Sequence, residues 1–334
     1  MLVKKNHMNT PFKPPFWLKN GLLMTWYVSW KMGRLKIKEL NYQEHVVLGA
    51  QKVPLVVKVA IPENPKATII GTYGITGSLE NQTMLKILAL KAYEEGFAVV
   101  LFDWRGHGKS AELSATLTSD GIYEGDDFIA IAKTAQNLGC PVPFWLTGYS
   151  LGGQLALWGL RAAQISNTKE IAGGAVICPS LDSERSLTYL GQSITGRWIE
   201  KSITKELKQM ARNLAQKHPQ SLSIEAIEKV KDIRSFDQEL VISKLGFQSA
   251  SEYYNATNTL NILPQLNLPT LIIYAADDPL FDPSIISDLQ THAADNPHIT
   301  LLLSEYGGHV GYLNQKIPDE DPWWAWNRVL DFCS

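Results

Sequence analysis

A chain of 334 residues is long for one minimal domain and ordinary for an α/β domain that carries an insertion. Its 45% hydrophobic and 19% charged residues exclude a disordered chain, and a formal net charge of -2 implies no basic face for nucleic acid. Three scattered cysteines, Cys140, Cys178 and Cys333, argue against a disulfide framework and for a reducing, cytoplasmic setting. No zinc-type Cys/His spacing is present, and neither a metal nor an organic cofactor is expected.

In chain order, "GLLMTWYVSW" (21–30) is apolar and follows lysines. It is too short to span a bilayer, and no small-residue cleavage site follows it. The reading is an N-terminal segment, 1–40, that packs on the domain. The alternative is peripheral membrane contact through Trp17, Trp26 and Trp30. "HVVLG" (45–49) and "VPLVVKVAI" (53–61) read as an antiparallel hairpin, and "ATIIGT" (67–72) as a short buried strand. Residues 81–96 have helical spacing and end in Gly96. The strand "FAVVLFD" (97–103) follows, then a helix over 123–139 with acids in its first turn. The strand "VPFWLTG" (142–148) leads into a helix over 151–163. "GGAVICP" (173–179), "TLIIYAA" (270–276) and "ITLLLSE" (299–305) are further strands. The last helix, 322–332, starts at Pro322 and uses Trp323, Trp324 and Trp326 for packing.

This alternation predicts an α/β fold with a mostly parallel central sheet flanked by helices, built from residues 41–180 and 266–334. Between Pro179 and Leu271 the rhythm stops. "ITKELKQMARNLAQKH" (203–218) and "IEAIEKVKDI" (224–233) are helical, and 181–265 is too long for a loop, so it reads as a helical cap insertion.

Gly148-Tyr149-Ser150-Leu151-Gly152 fits Gly-x-Ser-x-Gly with a strand before it and a helix after it. At such a turn the serine takes a positive φ, and the positions two before and two after it come too close for a Cβ. Its Oγ then stands above the sheet edge, with the Leu151 N–H free to donate. A serine hydroxyl needs a base, and the base needs an acid to orient it. "YAADDPLFDP" (274–283) offers Asp277 or Asp278, and "EYGGHVGY" (305–312) offers His309. Successive side chains there point in opposite directions, so only one of the two can face His309, and the other is left to cap the turn or the helix near Pro283. "GTYGITGS" (71–78) is expected to supply a second oxyanion donor, an N–H near Ile75 that its glycines let face the serine. His107, in "DWRGHGKS" (103–110), reads as structural or lining. Asp103 fills the place of the upstream glycine of a phosphate loop, so nucleotide binding is discounted.

"GTYGITGS", "DWRGHGKS", "GYSLGG" and "DDPLF…GGHVG", in that order, resemble the α/β-hydrolase superfamily. Outside the core, "FKPPFWLKNGLLMT" (12–25), "RSFD" (234–237) and "GFQSASEYYNATN" (246–258) resemble its YheT-like branch, also called α/β-hydrolase family 4. The resemblance implies a serine hydrolase acting on carboxylic esters, with Ser150 as nucleophile, Asp278 as acid, His309 as base, and the Ile75 and Leu151 amides as the oxyanion hole. Tyr73 departs from the histidine usual in that branch and bears on the oxyanion loop. The membrane-spanning anchor of many eukaryotic members has no counterpart in the sequence.

The reading is therefore an esterase that forms an acyl-enzyme. An amidase, thioesterase or acyltransferase on the same triad is the enzyme alternative, and a ligand-binding protein on a hydrolase fold is the non-enzyme one. The cap is expected to leave the strand next but one to the serine turn and to cross above Ser150. Its apolar Leu190, Ile194, Trp198, Phe236, Phe247 and Tyr253 are expected to bury, some of them lining an apolar slot for the acyl chain of a small-molecule ester.

Overall fold

The computed structural model describes residue 8, residues 10–318 and residues 320–334. Residues 1–7 and 9, the start of the expected N-terminal segment, lie outside the described residues. Eight strands among the described residues form one sheet: β1 (Gln43–Leu48), β2 (Pro54–Ala60), β3 (Ala67–Thr72), β4 (Phe97–Asp103), β5 (Phe144–Tyr149), β6 (Ile171–Ile177), β7 (Thr270–Ala275) and β8 (Ile299–Ser304). Their order is β1-β2-β4-β3-β5-β6-β7-β8. The β1–β2 and β2–β4 pairs are antiparallel and the remaining pairs parallel. β3, β4 and β7 are buried along their whole length, which is why they read as unbroken apolar runs without alternation.

The helices before the cap are α1 (Gly21–Met32), α2 (Thr83–Glu94), the single turn α3 (Ser110–Leu113), α4 (Glu124–Asn137) and α5 (Leu151–Ser166). The cap holds α6 (Ser183–Gln192), α7 (Ile194–Lys217), α8 (Ile224–Lys229), α9 (Ile233–Phe236), α10 (Ile242–Leu245) and α11 (Ala250–Thr257). α12 (Ile285–Asp295) and α13 (Trp324–Phe332) follow. α5 packs on β5 and β6, α2 on β3 and β4, and α13 on β6 and β7.

The chain leaves β3 for β4 on one side, and β5 returns on the other. Thr72, at the end of β3, pairs with Gly148 of β5. The loop after β3 and the serine turn after β5 therefore start side by side, at the carboxyl ends of strands where the winding reverses. Open α/β sheets bind their ligands in that crevice.

Three expectations change. The cap leaves β6, which pairs directly with β5 through Tyr149 and Ile177, so it springs from the strand next to the serine turn and not from the next but one. Leu190, Phe236 and Tyr253 are buried and Phe247 is half-buried, but Ile194 is 81% and Trp198 71% exposed. α7 begins at Ile194 and turns Leu207, Ala211 and Leu214 into the cap's own small core. At 100° per residue, Ile194 and Trp198 fall on its opposite face. α13 begins at Trp324 and not at Pro322, because Leu313 and Trp323 form an antiparallel bridge that keeps the chain extended up to that point.

α1 buries Gly21, Met24, Val28 and Met32 against the domain. A Cβ on Gly21 would lie 1.7 Å from the Asp277 carbonyl oxygen, so only glycine lets this helix approach the loop after β7 so closely. No helix among the described residues is long and apolar enough to cross a membrane.

Candidate active site

Ser150 links β5 to α5 with φ 54° and ψ -129°. A side-chain-bearing residue takes that conformation at a cost of about 1–3 kcal/mol, which the surroundings must offset. They do so through the backbone. The Ser150 N–H donates to Ile177 at 3.0 Å, and the Ser150 carbonyl accepts from Gly153 at 3.0 Å. A Cβ on Gly148 would lie 2.2 Å from the Gly152 carbonyl oxygen, and one on Gly152 would lie 2.2 Å from that of Tyr73. The two glycines of the motif are thus required by contact, as the sequence pattern implies.

The structure brings Ser150, His309 and Asp278 into one line. Ser150 Oγ lies 2.9 Å from His309 Nε2, and His309 Nδ1 lies 2.8 Å from Asp278 Oδ2. The other Asp278 oxygen, Oδ1, accepts from the Leu280 N–H at 2.9 Å, so both carboxylate oxygens are committed and the acid cannot swing away. Phe281 meets the His309 ring edge-on, with centroids 5.1 Å apart. Asp277 neither faces the imidazole nor caps the helix near Pro283. Its Oδ1 accepts from the Gly308 N–H at 2.8 Å and so pins the loop that carries His309. Burial raises the Asp277 carboxyl above its ordinary range.

A residue that sequence reasoning missed completes the support. The His309 N–H donates to Thr25 Oγ1 at 2.7 Å, and that hydroxyl donates to the Gly21 carbonyl at 2.7 Å. α1 therefore holds the His309 loop from outside the sheet. A threonine in an apolar helix, 284 positions away, carries no signal of this in the sequence.

Ile75 follows a glycine that lies against Ser150: a Cβ on Gly74 would lie 3.0 Å from Ser150 Cβ and 3.4 Å from Oγ. Ile75 and Leu151 line one cleft with Ser150. Neither of their N–H groups donates to a protein acceptor among the described residues. The Tyr73 ring is fully buried, and its hydroxyl donates to Asp103 Oδ1 at 2.5 Å. Asp103 also accepts from the Leu79 and Lys109 N–H groups, each at 2.9 Å. Tyr73 thus fastens the loop after β3 to the end of β4, where Asp103 also holds the Lys109 N–H of the following loop. His107 is buried and stacked on Trp104, with Nδ1 3.0 Å from the Arg105 carbonyl. Burial lowers its pKa to about 4, so it is a neutral wall residue.

Two clefts meet at Ser150, with Ile75, Ile203 and Leu280 common to both. One runs under the cap past Leu187, Leu190, Leu207 and Phe236, and holds about 860 Å³ free of protein atoms, its open mouth included. Its wall also includes Asp120 and Asp237. Burial raises both carboxyls above their ordinary range, and at Asp237 the nearby Asp120 adds to the rise. The second cleft opens between α1 and the loop after β3, past Thr25, Val28 and Met32, and reaches both Ser150 and His309.

Residues 68–315 match the model of the alpha/beta hydrolase fold family. A protein of Synechocystis sp. named "Putative esterase slr0264" is 44% identical over 96% of this chain and 94% of its own length. The chain belongs to the α/β-hydrolase family. Within it, the YheT-like resemblance also holds: Escherichia coli "Putative esterase YheT" is 25% identical over 83% of this α/β-hydrolase and 81% of its own length. The solved Pyrococcus furiosus esterase Pf2001 shares the fold, with a TM-score of 0.57 over 88% of this chain and 91% of that one, at 19% identity.

Proposed function

We propose that this α/β-hydrolase cleaves carboxylic esters with an apolar acyl chain through a covalent acyl-enzyme. The observation that carries the reading is the unbroken relay from Ser150 Oγ to His309 Nε2 at 2.9 Å and from His309 Nδ1 to Asp278 Oδ2 at 2.8 Å. The esterase names of its Synechocystis and Escherichia coli relatives agree with it. Ser150 Oγ attacks the ester carbonyl as its proton passes to Nε2. Asp278 accepts the Nδ1–H, which sets the tautomer and stabilises the imidazolium. The negative oxygen of the tetrahedral intermediate takes the Ile75 and Leu151 N–H groups, a pair in which one donor is worth about 3–4 kcal/mol. Collapse breaks the bond to the alcohol, which leaves with the proton from His309. Water then gives a proton to His309, attacks the acyl group and releases the carboxylic acid and free Ser150.

The cleft under the cap suits an apolar acyl chain because Leu187, Leu190, Ile203, Leu207, Met210 and Phe236 line it. A fluorophosphonate probe tests the nucleophile. Wild type is labelled and turns over p-nitrophenyl esters, and Ser150→Ala does neither. Equal labelling of both proteins, or wild-type labelling without turnover of any ester, refutes the esterase reading.

A further inference from the structure

Among the described residues, the outer face of α1 is apolar and left exposed. Met24, Val28 and Met32 point inward, while Leu22, Leu23, Trp26 and Trp30 are exposed. Just ahead of the helix Phe16 is 83% exposed, and Trp17 packs edge-on against Tyr27, with centroids 4.8 Å apart. A helix apolar on both faces, one of them open to solvent, lacks its second contact.

Charge says what that contact is. Residues 1–38 contain eight basic residues and no acidic one, which leaves 23 basic and 33 acidic residues in the rest of the chain. Lys13, Lys19, Arg34, Lys36 and Lys38 are exposed. None of them forms an ion pair among the described residues. Arg34 instead lies over the Trp30 ring, 4.3 Å from its centroid. Tryptophans backed by free cations match a bilayer with anionic headgroups, where the rings sit at the interface and the cations meet the phosphates. A second copy of the chain meeting this face symmetrically would set two basic faces against each other.

The face also borders the way in. Thr25, Val28, Ser29, Met32 and Gly33 line the cleft that reaches Ser150 and His309. At 100° per residue, Leu22, Trp26 and Trp30 form the neighbouring stripe of the same helix.

We infer that Phe16, Trp17 and the outer face of α1 dock this protein on anionic lipid surfaces, with the cleft beside α1 opening at the bilayer. Substrate entry from the lipid rests on the esterase reading; the docking does not. The test is co-sedimentation with vesicles of mixed phosphatidylcholine and phosphatidylglycerol and with vesicles of phosphatidylcholine alone. Wild type and Ser150→Ala bind the mixed vesicles alike, and high salt weakens that binding. Each cation at such a surface contributes about fivefold to partitioning. The variant Phe16→Ser, Trp26→Ser, Trp30→Ser, all at exposed positions, loses binding by about tenfold or more. It keeps wild-type turnover of a soluble short-chain ester, which shows that it folds. Three results overturn the docking: wild type stays in the supernatant with both vesicles, the triple variant binds as well as wild type, or wild type dimerises in solution and the variant does not. Loss of turnover in Ser150→Ala with vesicle binding intact keeps the two readings separate.

Discussion

Two adjacent aspartates, one on the imidazole and one on the loop behind it, separate catalytic orientation from structural support. In Asp278→Asn the side-chain oxygen still accepts from the Leu280 N–H, now 2.9 Å from Oδ1. The fold therefore survives. The amide that replaces Oδ2 donates where His309 Nδ1 must donate, at 2.8 Å, so the imidazole turns to the tautomer whose Nε2 carries a proton. That nitrogen then cannot take the Ser150 proton across 2.9 Å. The corresponding change in a serine protease costs about 10⁴ in turnover, or about 5.4 kcal/mol in the barrier. Asp277→Asn keeps the oxygen that accepts from the Gly308 N–H at 2.8 Å and loses only the charge on that bond. The loss is about 1 kcal/mol, so kcat falls by about fivefold or less. Both kcat values are read with p-nitrophenyl butyrate, beside circular dichroism and thermal melts. A large loss in Asp277→Asn with a small one in Asp278→Asn moves the acid to Asp277. Near-normal turnover in both refutes the triad.

Thr25→Val keeps the shape of α1 and leaves the His309 N–H without its acceptor. We expect kcat to fall by about tenfold with KM little changed, since a loosened base costs rate more than binding; an unchanged kcat removes Thr25 from the positioning of His309. Met210→Trp fills the cleft under the cap and lowers the octanoate-to-butyrate ratio of kcat/KM by about tenfold, a fraction of what four methylenes at about 0.8 kcal/mol each could contribute; an unchanged ratio places the acyl chain elsewhere. His107 has a pKa held near 4 by burial, against 6.5 for an ordinary histidine. A histidine kept neutral on folding adds stability that is full above pH 6.5 and lost as pH falls toward 4, about 3 kcal/mol in all. Denaturant melts of His107→Gln should lack this share of the acid loss, and a variant with the same slope between pH 6.5 and 4 as wild type shows that His107 does not supply it.

What the sequence by itself determined is local. Glycines on both sides of Ser150, between an apolar run and a helical one, mark a tight strand-to-helix turn, so the turn and its raised serine are legible from the motif. The parallel strands are legible too, because strands buried on both faces leave unbroken apolar runs. Periodicity and turn residues do not carry strand order, so the adjacency of β5 and β6, which sets where the cap crosses, came only with the fold. The same holds for α7: its pattern shows a helix but not which face meets the cap core, so Ile194 and Trp198 turned out exposed. Asp277 and Asp278 are alike in sequence, and the placing of the Gly308 loop and of α1 gives them different tasks. Thr25 reaches His309 because Gly21 lets α1 lie against the loop after β7, and a contact between residues 284 positions apart exists only once the chain has folded to bring them together.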